Sequence, residues 1–342
     1  MRRAVVDLSS PRPVWRVPVR TVSAIRRALG RGWRVVSVAA PAVSDGDGAV
    51  GSDEAVEAVR GAELYFGWGV PKAVAEAAHP ALRWAHSAAV GVGASLTPGL
   101  LAGGTLLTNS RGVHAEPMAD WVLGAVAFCT RGFHWAAAGK YEGRWERDSF
   151  TDGTVPVREL AQTRVGIVGL GGIGSAVARR LAAVGMRVRG IRRHPGRRRP
   201  AGVEWVGGPR DAVRLARQSD VLVIAAPRTR ETGGLVDERV LTALPEGAFV
   251  VNCSRGALLD EGALLVQLER GHLAGCVLDV FAAEPLPADH PFWSNPRVFF
   301  TPHVSAVSPQ FWERETALIL DNIGRYLTGR RLKNLVDPEI GY

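Results

Sequence analysis

The stretch VGLGGIG, residues 168–174, decides the fold, because it follows the apolar run 165–168 and precedes a segment with helical spacing. Gly169, Gly171 and Gly174 form the pattern G-x-G-x-x-G, in which the first glycine permits a tight turn. The second lets a pyrophosphate approach the backbone, and the third lets the helix pack closely on the strand. The helix N-terminus also offers unpaired N–H groups to phosphate oxygens. The stretch therefore predicts a dinucleotide-binding turn made of Gly169, Gly171, Gly172, Ile173 and Gly174.

Strand and helix patterns alternate on both sides of this turn. Seven short apolar runs are separated by segments with helical spacing: 165–168, 187–191, 203–206, 221–226, 248–252, 276–281 and 298–300. Regular alternation of this kind predicts a doubly wound parallel sheet. The first part of the chain alternates as well, and it predicts a smaller parallel α/β unit. Its expected strands are 4–8, 34–38 and 62–66, and its expected helices are 19–29, 53–60 and 71–78.

A Gly- and Thr-rich passage from Val90 to Thr108 separates these two regions. After it, apolar residues recur at helical spacing from Ala115 to about Ala138, which predicts one long helix. The segment 311–328 predicts an amphipathic helix. Its expected core side chains are Phe311, Leu318, Ile319 and Tyr326.

Composition excludes several classes of protein. The formal charge is +9, but only Lys72, Lys140 and Lys333 are lysines among the 42 basic residues, and the arginines are spread along the chain. A nucleic-acid-binding protein more often concentrates its charge in one stripe or tail, so we expect no nucleic-acid partner. Three cysteines are too few for a disulfide framework or a zinc site, and they fit a reducing compartment. Because no apolar stretch of about 18 residues is present, we expect a cytoplasmic protein without a membrane partner.

The loop after the run 187–191 is rich in arginine. Sites selective for NAD usually place an Asp or Glu at this point, where it accepts hydrogen bonds from the adenine ribose. Here the chain has Arg192 and Arg193, whose guanidinium groups can hold a 2′-phosphate. We therefore predict NADP, as NADPH, as the preferred cofactor, with NAD as the alternative. For Arg197, Arg198 and Arg199, a solvated basic loop is an equally good interpretation.

Three further segments place polar residues just beyond apolar runs: NCSRGALLDEGAL (252–264), GCVLDVFAAEPLP (275–287) and FFTPHVS (299–305). In open α/β sheets, ligands bind at the carboxyl ends of the strands. In their order and spacing, these segments and the glycine turn resemble the D-isomer-specific 2-hydroxyacid dehydrogenases, from about residue 60 onward. That family includes phosphoglycerate, glyoxylate and hydroxypyruvate, and D-lactate enzymes. The resemblance implies hydride transfer between a nicotinamide cofactor and a small 2-keto or D-2-hydroxy acid.

The resemblance assigns a catalytic triad to Arg255, Glu284 and His303. Hydride delivery to a ketone carbon builds negative charge on the oxygen, so a cation and a proton donor must face that oxygen. Arg255 would bind the substrate carboxylate and polarise the carbonyl, a task that suits a planar guanidinium. His303 would be the acid in reduction and the base in oxidation. Glu284 would pair with His303, orient its ring and favour its protonated form.

The resemblance also implies contacts with the cofactor. It places Asp279 near the nicotinamide carboxamide, and the alternative is a buried polar residue of a strand. The other residues on turns that would line the cofactor are Ala226, Pro227, Cys253 and Ser254. For Cys253 we expect a lining role in which the thiol does no chemistry.

Two loops of the first region resemble substrate loops of the family. In HSAAVGVGAS (86–95), backbone N–H groups around Val90, Gly91 and Val92 could hold a carboxylate, and a plain turn after a strand is the alternative. Trp68 would close the pocket with an apolar wall, unless it serves only in packing. The phosphoglycerate enzymes tend to place an arginine around this loop, and none lies between Arg60 and Arg83, which argues against a phosphorylated substrate.

We expect two α/β domains, each a doubly wound parallel sheet, with a cleft between them. Residues 1–115 and 306–342 would form a smaller, flavodoxin-like substrate domain, and residues 116–305 a Rossmann-type cofactor domain inserted into it. The helical stretch after Ala115 resembles the dimer-forming region of the family, so the resemblance implies a homodimer.

Two other functions fit the same scaffold. A non-enzymatic dinucleotide-sensing regulator could keep the triad, and turnover of NADPH with glyoxylate or hydroxypyruvate would separate it from an enzyme. Oxidation of formate or phosphite is the second alternative. Formate enzymes of this family pair the histidine with glutamine, so Glu284 argues against formate, whereas the triad leaves phosphite open.

Overall fold

The structure is a computed structural model that describes residues 1–42, 50–229, 231–339 and 341. Its contacts divide the chain into two compact units. Unit 1 consists of Met1–His114 together with Val307–Tyr342, and unit 2 consists of Ala115–Ala306. Along the sequence, unit 2 is therefore inserted between the two segments of unit 1. None of the described helices combines the length and the apolar character that spanning a membrane requires.

The described strands and helices alternate along most of the chain. The strands are β1 (Arg2–Asp7), β2 (Trp33–Ser37), β3 (Leu64–Gly67), β4 (Trp84–Ser87), β5 (Leu106–Asn109), β6 (Arg164–Val168), β7 (Arg187–Ile191), β8 (Val203–Gly207), β9 (Val221–Ile224), β10 (Ala248–Asn252), β11 (Leu273–Leu278) and β12 (Val298–Phe300). The helices are α1 (Val19–Leu29), α2 (Asp53–Val59), α3 (Lys72–Ala78), α4 (Pro98–Ala102), α5 (Ala115–Thr130), α6 (Phe133–Tyr141), α7 (Asp148–Thr151), α8 (Gly172–Ala183), α9 (Ala212–Ala216), α10 (Glu238–Thr242), α11 (Glu261–Glu269) and α12 (Phe311–Leu327).

Unit 1 contains a five-stranded parallel sheet in the order β2-β1-β3-β4-β5. This is the order of flavodoxin-like folds. Helices α1 and α12 cover one face, where the buried core includes Ile25, Phe66 and Ile319. Helices α2 and α3 cover the other face, where the core includes Val59 and Val74. The predicted doubly wound parallel sheet is confirmed for this unit.

Two strands of this sheet, β4 and β5, are not among the predicted strands 4–8, 34–38 and 62–66. Both carry polar residues that are fully buried, so neither strand forms an apolar run. These polar side chains satisfy one another, since His86 Nδ1 lies 2.8 Å from Thr108 Oγ1 and Trp84 Nε1 donates to the same hydroxyl at 2.9 Å. Internal hydrogen bonding allows such residues in a buried strand.

Unit 2 contains a seven-stranded parallel sheet in the order β12-β11-β10-β9-β6-β7-β8. All seven predicted apolar runs are strands, and the first six of them follow the order of a Rossmann sheet. One core lies between the sheet and helices α5 and α8, and a second lies against α9, α10 and α11. The predicted runs 221–226 and 276–281 are wrong at their ends, because β9 stops at Ile224 and β11 at Leu278. Asp279 therefore lies just beyond the strand, where its carboxylate binds the turn after β12.

The single helix predicted for 115–138 is wrong, because the structure has two helices there, α5 and α6. Gly132 separates them with a left-handed backbone, at φ = 69°. A Cβ at this residue would lie 2.7 Å from a ring carbon of Phe150, so a larger residue would clash as well as be strained. Apolar periodicity continues through such a break, which is why the pattern did not reveal it.

Helix α12 belongs to unit 1, although it follows unit 2 in the sequence. Of its predicted core residues, Phe311 and Ile319 are fully buried, whereas Leu318 and Tyr326 are partly buried and pack against the same core. Glu315 is an unpredicted buried residue of this helix. Its Oε1 atom lies 2.8 Å from Nε2 of His86 in β4, which ties the helix to the strand next to the edge strand β5.

Candidate active site

The candidate residues of unit 2 share one edge of its sheet. The glycine turn follows β6, and Arg192 and Arg193 follow β7. Arg255 follows β10, Glu284 lies in the loop after β11, and His303 follows β12. Because all pairings in this sheet are parallel, these loops lie at the carboxyl ends of the strands, which is the binding edge of such folds.

The glycine turn is tight on one side and open on the other. A Cβ at Gly174 would lie 2.0 Å from the carbonyl oxygen of Gly169, and a Cβ at Gly169 would lie 2.5 Å from Cα of Ala226. A Cβ at Gly171 or Gly172 would meet nothing within 4 Å. Helix α8 begins at Gly172, so the open side also faces the N-terminus of a helix. These residues fit a pyrophosphate, which needs both backbone access and unpaired N–H groups.

His303 Nδ1 lies 2.7 Å from Glu284 Oε2, which is hydrogen-bond distance. The other carboxylate oxygen of Glu284 accepts a hydrogen bond from the backbone N–H of Phe281 at 2.9 Å. Both side chains are partly exposed, at 43% for His303 and 35% for Glu284. The loop that carries Glu284 thus holds the carboxylate, and the carboxylate contacts Nδ1 of the imidazole. The second ring nitrogen, Nε2, is left for a substrate.

Asp279 is fully buried, and its carboxylate organises the turn that carries His303. Its Oδ1 accepts hydrogen bonds from Thr301 Oγ1 at 2.5 Å and from Val304 N–H at 2.8 Å, and its Oδ2 accepts from Ser305 N–H at 2.9 Å. The N–H of His303 donates to the backbone oxygen of Asp279 at 2.8 Å. These bonds give Asp279 a positioning role, whereas its contact with a nicotinamide carboxamide stays a prediction.

Arg255 lies on a turn that is fixed by buried neighbours. Asn252 donates from its side chain to the carbonyl of Arg255 at 3.2 Å, and its Oδ1 accepts from the N–H of Ser254 at 3.0 Å. A Cβ at Gly256 would lie 1.9 Å from the carbonyl carbon of Phe281, so the turn passes directly against the loop that carries Glu284. Asn252 and Gly256 are site residues that were not predicted, although both stand in the motif N-x-x-R-G around Arg255.

The two arginines after β7 differ in their contacts. The Arg192 guanidinium donates to the carbonyl oxygen of Arg198 at 3.0 Å and also to that of Arg197, so it shapes its own loop. Arg193 instead reaches another loop, where its Nη2 lies 2.6 Å from Oε1 of Glu231. Glu231 was not predicted as a site residue.

The remaining residues that were predicted to line the cofactor present no reactive group. Ala226 and Cys253 are buried, and Ser254 donates its hydroxyl to Asn252 Oδ1 at 3.0 Å. Burial, together with the charge of Asp279, raises the pKa of Cys253 to about 12, so its thiol stays protonated at neutral pH. Pro227 accepts a hydrogen bond at its carbonyl from Thr232 Oγ1 at 2.7 Å. These residues can line a cofactor without taking part in chemistry.

The substrate candidates of unit 1 follow two adjacent strands, β3 and β4. Trp68 stacks on Phe311, with ring centres 5.6 Å apart, and packs edge-on against Trp15 and Trp312. Its indole N–H is buried and has no hydrogen-bond partner among the described residues. Val92 is buried in the core below α2 and α3, so only its backbone could serve a ligand. Val90 and Gly91, beside it, are partly exposed.

Comparison with known proteins identifies relatives of the whole fold and of the larger unit. A family model described as D-isomer specific 2-hydroxyacid dehydrogenase, NAD binding domain, matches residues 123–305. The glyoxylate/hydroxypyruvate reductase A of Escherichia fergusonii is 35% identical over 227 residues, which cover 66% of this chain and 69% of that protein. The reductase of the same name from Serratia proteamaculans is 38% identical over 179 residues, which cover 52% of this chain and 56% of that protein.

Solved structures match along the full chain. A D-isomer specific 2-hydroxyacid dehydrogenase from Xanthobacter autotrophicus Py2, in complex with NADPH and MES, superposes with a TM-score of 0.80 at 30% identity, and the match covers 100% of both chains. An NADPH-dependent glyoxylate/hydroxypyruvate reductase from Sinorhizobium meliloti, in complex with NADP and sulfate, superposes with a TM-score of 0.76 at 26% identity, again over 100% of both chains.

Proposed function

The chain belongs to the D-isomer specific 2-hydroxyacid dehydrogenase family, and on this premise we propose that it reduces glyoxylate or hydroxypyruvate with NADPH. The membership confirms the family that the motifs resemble, and it makes the chain an NAD(P)-dependent oxidoreductase acting on 2-hydroxy acids. The choice of keto acid, the preference for NADPH and the roles of single residues are our proposals.

The His303–Glu284 pair carries the proposal for the reaction. When bound, the nicotinamide supplies the hydride. His303, whose Nδ1 is engaged by Glu284 at 2.7 Å, would donate the Nε2 proton to the carbonyl oxygen of the keto acid. Glu284 would hold the imidazole ring in the orientation that this step requires. Arg255 would bind the carboxylate of the same substrate and polarise its carbonyl.

For cofactor choice, the basic loop after β7 supports NADPH. The chain offers Arg193 where NAD-selective sites place a carboxylate, and a guanidinium can bind a phosphate through two parallel hydrogen bonds. The solved structures of two relatives are complexes with NADPH or NADP. We therefore propose that Arg193 contacts the 2′-phosphate and that Arg192 mainly shapes the loop around it.

The substrate assignment follows the curated relatives, which are named for glyoxylate and hydroxypyruvate. We propose that unit 1 contributes the backbone around Val90, Gly91 and Val92 to the substrate carboxylate, and Trp68 as an apolar wall. A substrate panel with NADPH and NADH tests the whole proposal. We expect turnover of glyoxylate and hydroxypyruvate and a higher kcat/KM for NADPH. Phosphite-dependent reduction of NADP⁺, or binding of NADPH without turnover of any 2-keto acid, would overturn it.

We also propose a homodimer in the cytoplasm. Large aromatic side chains lie exposed along α6 and just after it, namely Phe133, Tyr141 and Trp145, and the last of these is 93% exposed. A group of exposed aromatic residues commonly marks an interface, and the family resemblance implies that a second copy of the chain occupies it. Light scattering should give twice the chain mass, and the double variant Trp145→Ser, Tyr141→Ser should shift the measured mass toward the monomer. A monomeric unmodified protein would contradict the dimer.

The proposed location in the cytoplasm is supported by the cysteines. Three free, buried cysteines suit a reducing compartment.

A further inference from the structure

An ion pair connects the two loops that flank the glycine turn. Arg193 follows β7 and Glu231 lies in the loop after β9, and their side chains meet with Nη2 2.6 Å from Oε1. In the sheet, β6 lies between these two strands, and the glycine turn follows β6. The pair therefore lies at the same edge as the proposed cofactor site, on its adenosine side.

Hydrogen bonds hold described residues close to each partner of this pair. Arg192 binds backbone oxygens of its own loop, and its N–H donates to the carbonyl of Gly207 at 3.0 Å. On the other side, Thr232 Oγ1 donates to the carbonyl of Pro227 at 2.7 Å and accepts from the N–H of Thr229 at 2.8 Å. The backbone thus holds Arg193 and Glu231 within reach of one another.

We propose that Glu231 is a specificity-determining residue, whose carboxylate competes with the 2′-phosphate of the cofactor for Arg193. The inference rests on the proposed role of Arg193 in NADPH binding. A carboxylate and a phosphate are alternative partners for one guanidinium, and they repel each other. NADPH must therefore replace Glu231 at Arg193, whereas NADH brings a ribose hydroxyl, from which a carboxylate can accept a hydrogen bond. Glu231 consequently lowers the affinity for NADPH and narrows the discrimination between the two cofactors.

The test compares binding of 2′,5′-ADP with binding of 5′-AMP, two fragments that differ only in the 2′-phosphate. Calorimetry on the full chain gives both dissociation constants without turnover. We expect Glu231→Gln to bind 2′,5′-ADP about three- to tenfold more tightly, because it loses an exposed ion pair and a repulsive charge of modest strength. Binding of 5′-AMP should stay unchanged or weaken. The matched control is Glu238→Gln, which removes the same charge from an exposed residue in the first turn of α10 and should change neither constant.

A double variant separates competition for Arg193 from simple repulsion of the phosphate. When Glu231→Gln is added to Arg193→Gln, the dissociation constant for 2′,5′-ADP should change less than twofold. If Glu231→Gln tightens 2′,5′-ADP binding as much without Arg193 as with it, the proposed competition is overturned. If the unmodified chain binds both fragments equally, the proposed NADPH preference itself fails. If the unmodified chain prefers 2′,5′-ADP and Glu231→Gln leaves its affinity equal or lower, only the role of Glu231 is overturned. Thermal unfolding of each variant checks that the fold is kept.

Discussion

At the scale of single residues, His303 combines a functional side chain with an uncommon backbone. Its φ of 53° lies in the left-handed region, which costs most side chains roughly 1–2 kcal/mol and which Asn tolerates better. The surrounding hydrogen bonds to Asp279 hold the residue there. A substitution at this residue can therefore change the turn as well as the chemistry, unless the new residue accepts the same conformation.

We expect His303→Asn to separate these two effects. Asn keeps the left-handed turn but removes the proton donor, so kcat should fall by about 10²–10⁴-fold. The dissociation constant for NADPH and the unfolding temperature should stay close to those of the unmodified protein. His303→Ala serves as the comparison, since it should lose the same activity and also some stability. A kcat within tenfold of the unmodified value in His303→Asn would exclude His303 as the acid.

Glu284→Gln tests the coupling within the pair. The amide keeps a hydrogen-bonding partner for Nδ1, which lies 2.7 Å from Oε2 of Glu284, but it removes the negative charge of that partner. A hydrogen bond to a neutral amide is weaker than one to a carboxylate, so the ring should be held less firmly and kcat for reduction should fall, whereas the dissociation constant for NADPH should stay unchanged. Steady-state kinetics and titration with NADPH are the measurements. An unchanged kcat would show that His303 and Glu284 do not act together.

The sequence predicts which side chains belong to the candidate site better than it predicts the contacts that hold them in place. Arg255, Glu284 and His303 stand in motifs whose order and spacing are visible without a structure. The pairing of Asp279 with the turn 301–305 is not visible, because its partners are backbone N–H groups, which every residue has. For the same reason, the sequence does not show that the backbone of Gly256 lies against that of Phe281.

At the scale of secondary-structure elements, the turn between β6 and α8 has two kinds of glycine. We expect Gly174→Ala to destabilise the protein by about 1–3 kcal/mol, since its Cβ would lie 2.0 Å from a backbone oxygen. Gly171→Ala should change stability by less than about 0.5 kcal/mol, because its Cβ meets nothing within 4 Å, yet it should weaken NADPH binding. Chemical unfolding without cofactor and titration with NADPH provide the two measurements. Unweakened binding in Gly171→Ala would mean that the pyrophosphate lies elsewhere.

The elements that the sequence predicted and those that it missed differ in how they bury polar groups. Strands β9 and β11 of unit 2 are continuous apolar runs, because helices cover both faces of a parallel sheet. Strands β4 and β5 of unit 1 instead include His86 and Thr108, which are paired inside the sheet. Apolar runs cannot reveal a strand that satisfies its polar side chains internally. The break between α5 and α6 at Gly132 was not predicted for another reason. It depends on the side chain of Phe150, which fills the space that a Cβ at Gly132 would need.

At the scale of the whole molecule, unit 1 depends on a helix that the chain supplies after unit 2. The His86–Glu315 contact is fully buried on both sides, so loss of either partner leaves an uncompensated polar group. We expect Glu315→Ala to destabilise unit 1 by about 3–5 kcal/mol, and Glu315→Gln, which can still hydrogen-bond His86, to cost less. Hydrogen exchange of the β4 amides, together with urea unfolding, measures the effect within this unit. Equal stability of the two variants would show that the hydrogen bond contributes nothing.

The late arrival of α12 has a consequence for synthesis on the ribosome. Domains generally fold as units while the chain emerges, with the N-terminal one first. Here Phe311, Ile319 and Ile323, which complete the core of unit 1, emerge only after all of Ala115–Ala306. Unit 2 can therefore complete its own core while α1 alone covers that face of the first-made sheet. A chain that ends before residue 311 should carry a protease-resistant unit 2 and a protease-sensitive N-terminal segment, and a holdase chaperone would bind the apolar surface that α12 leaves exposed.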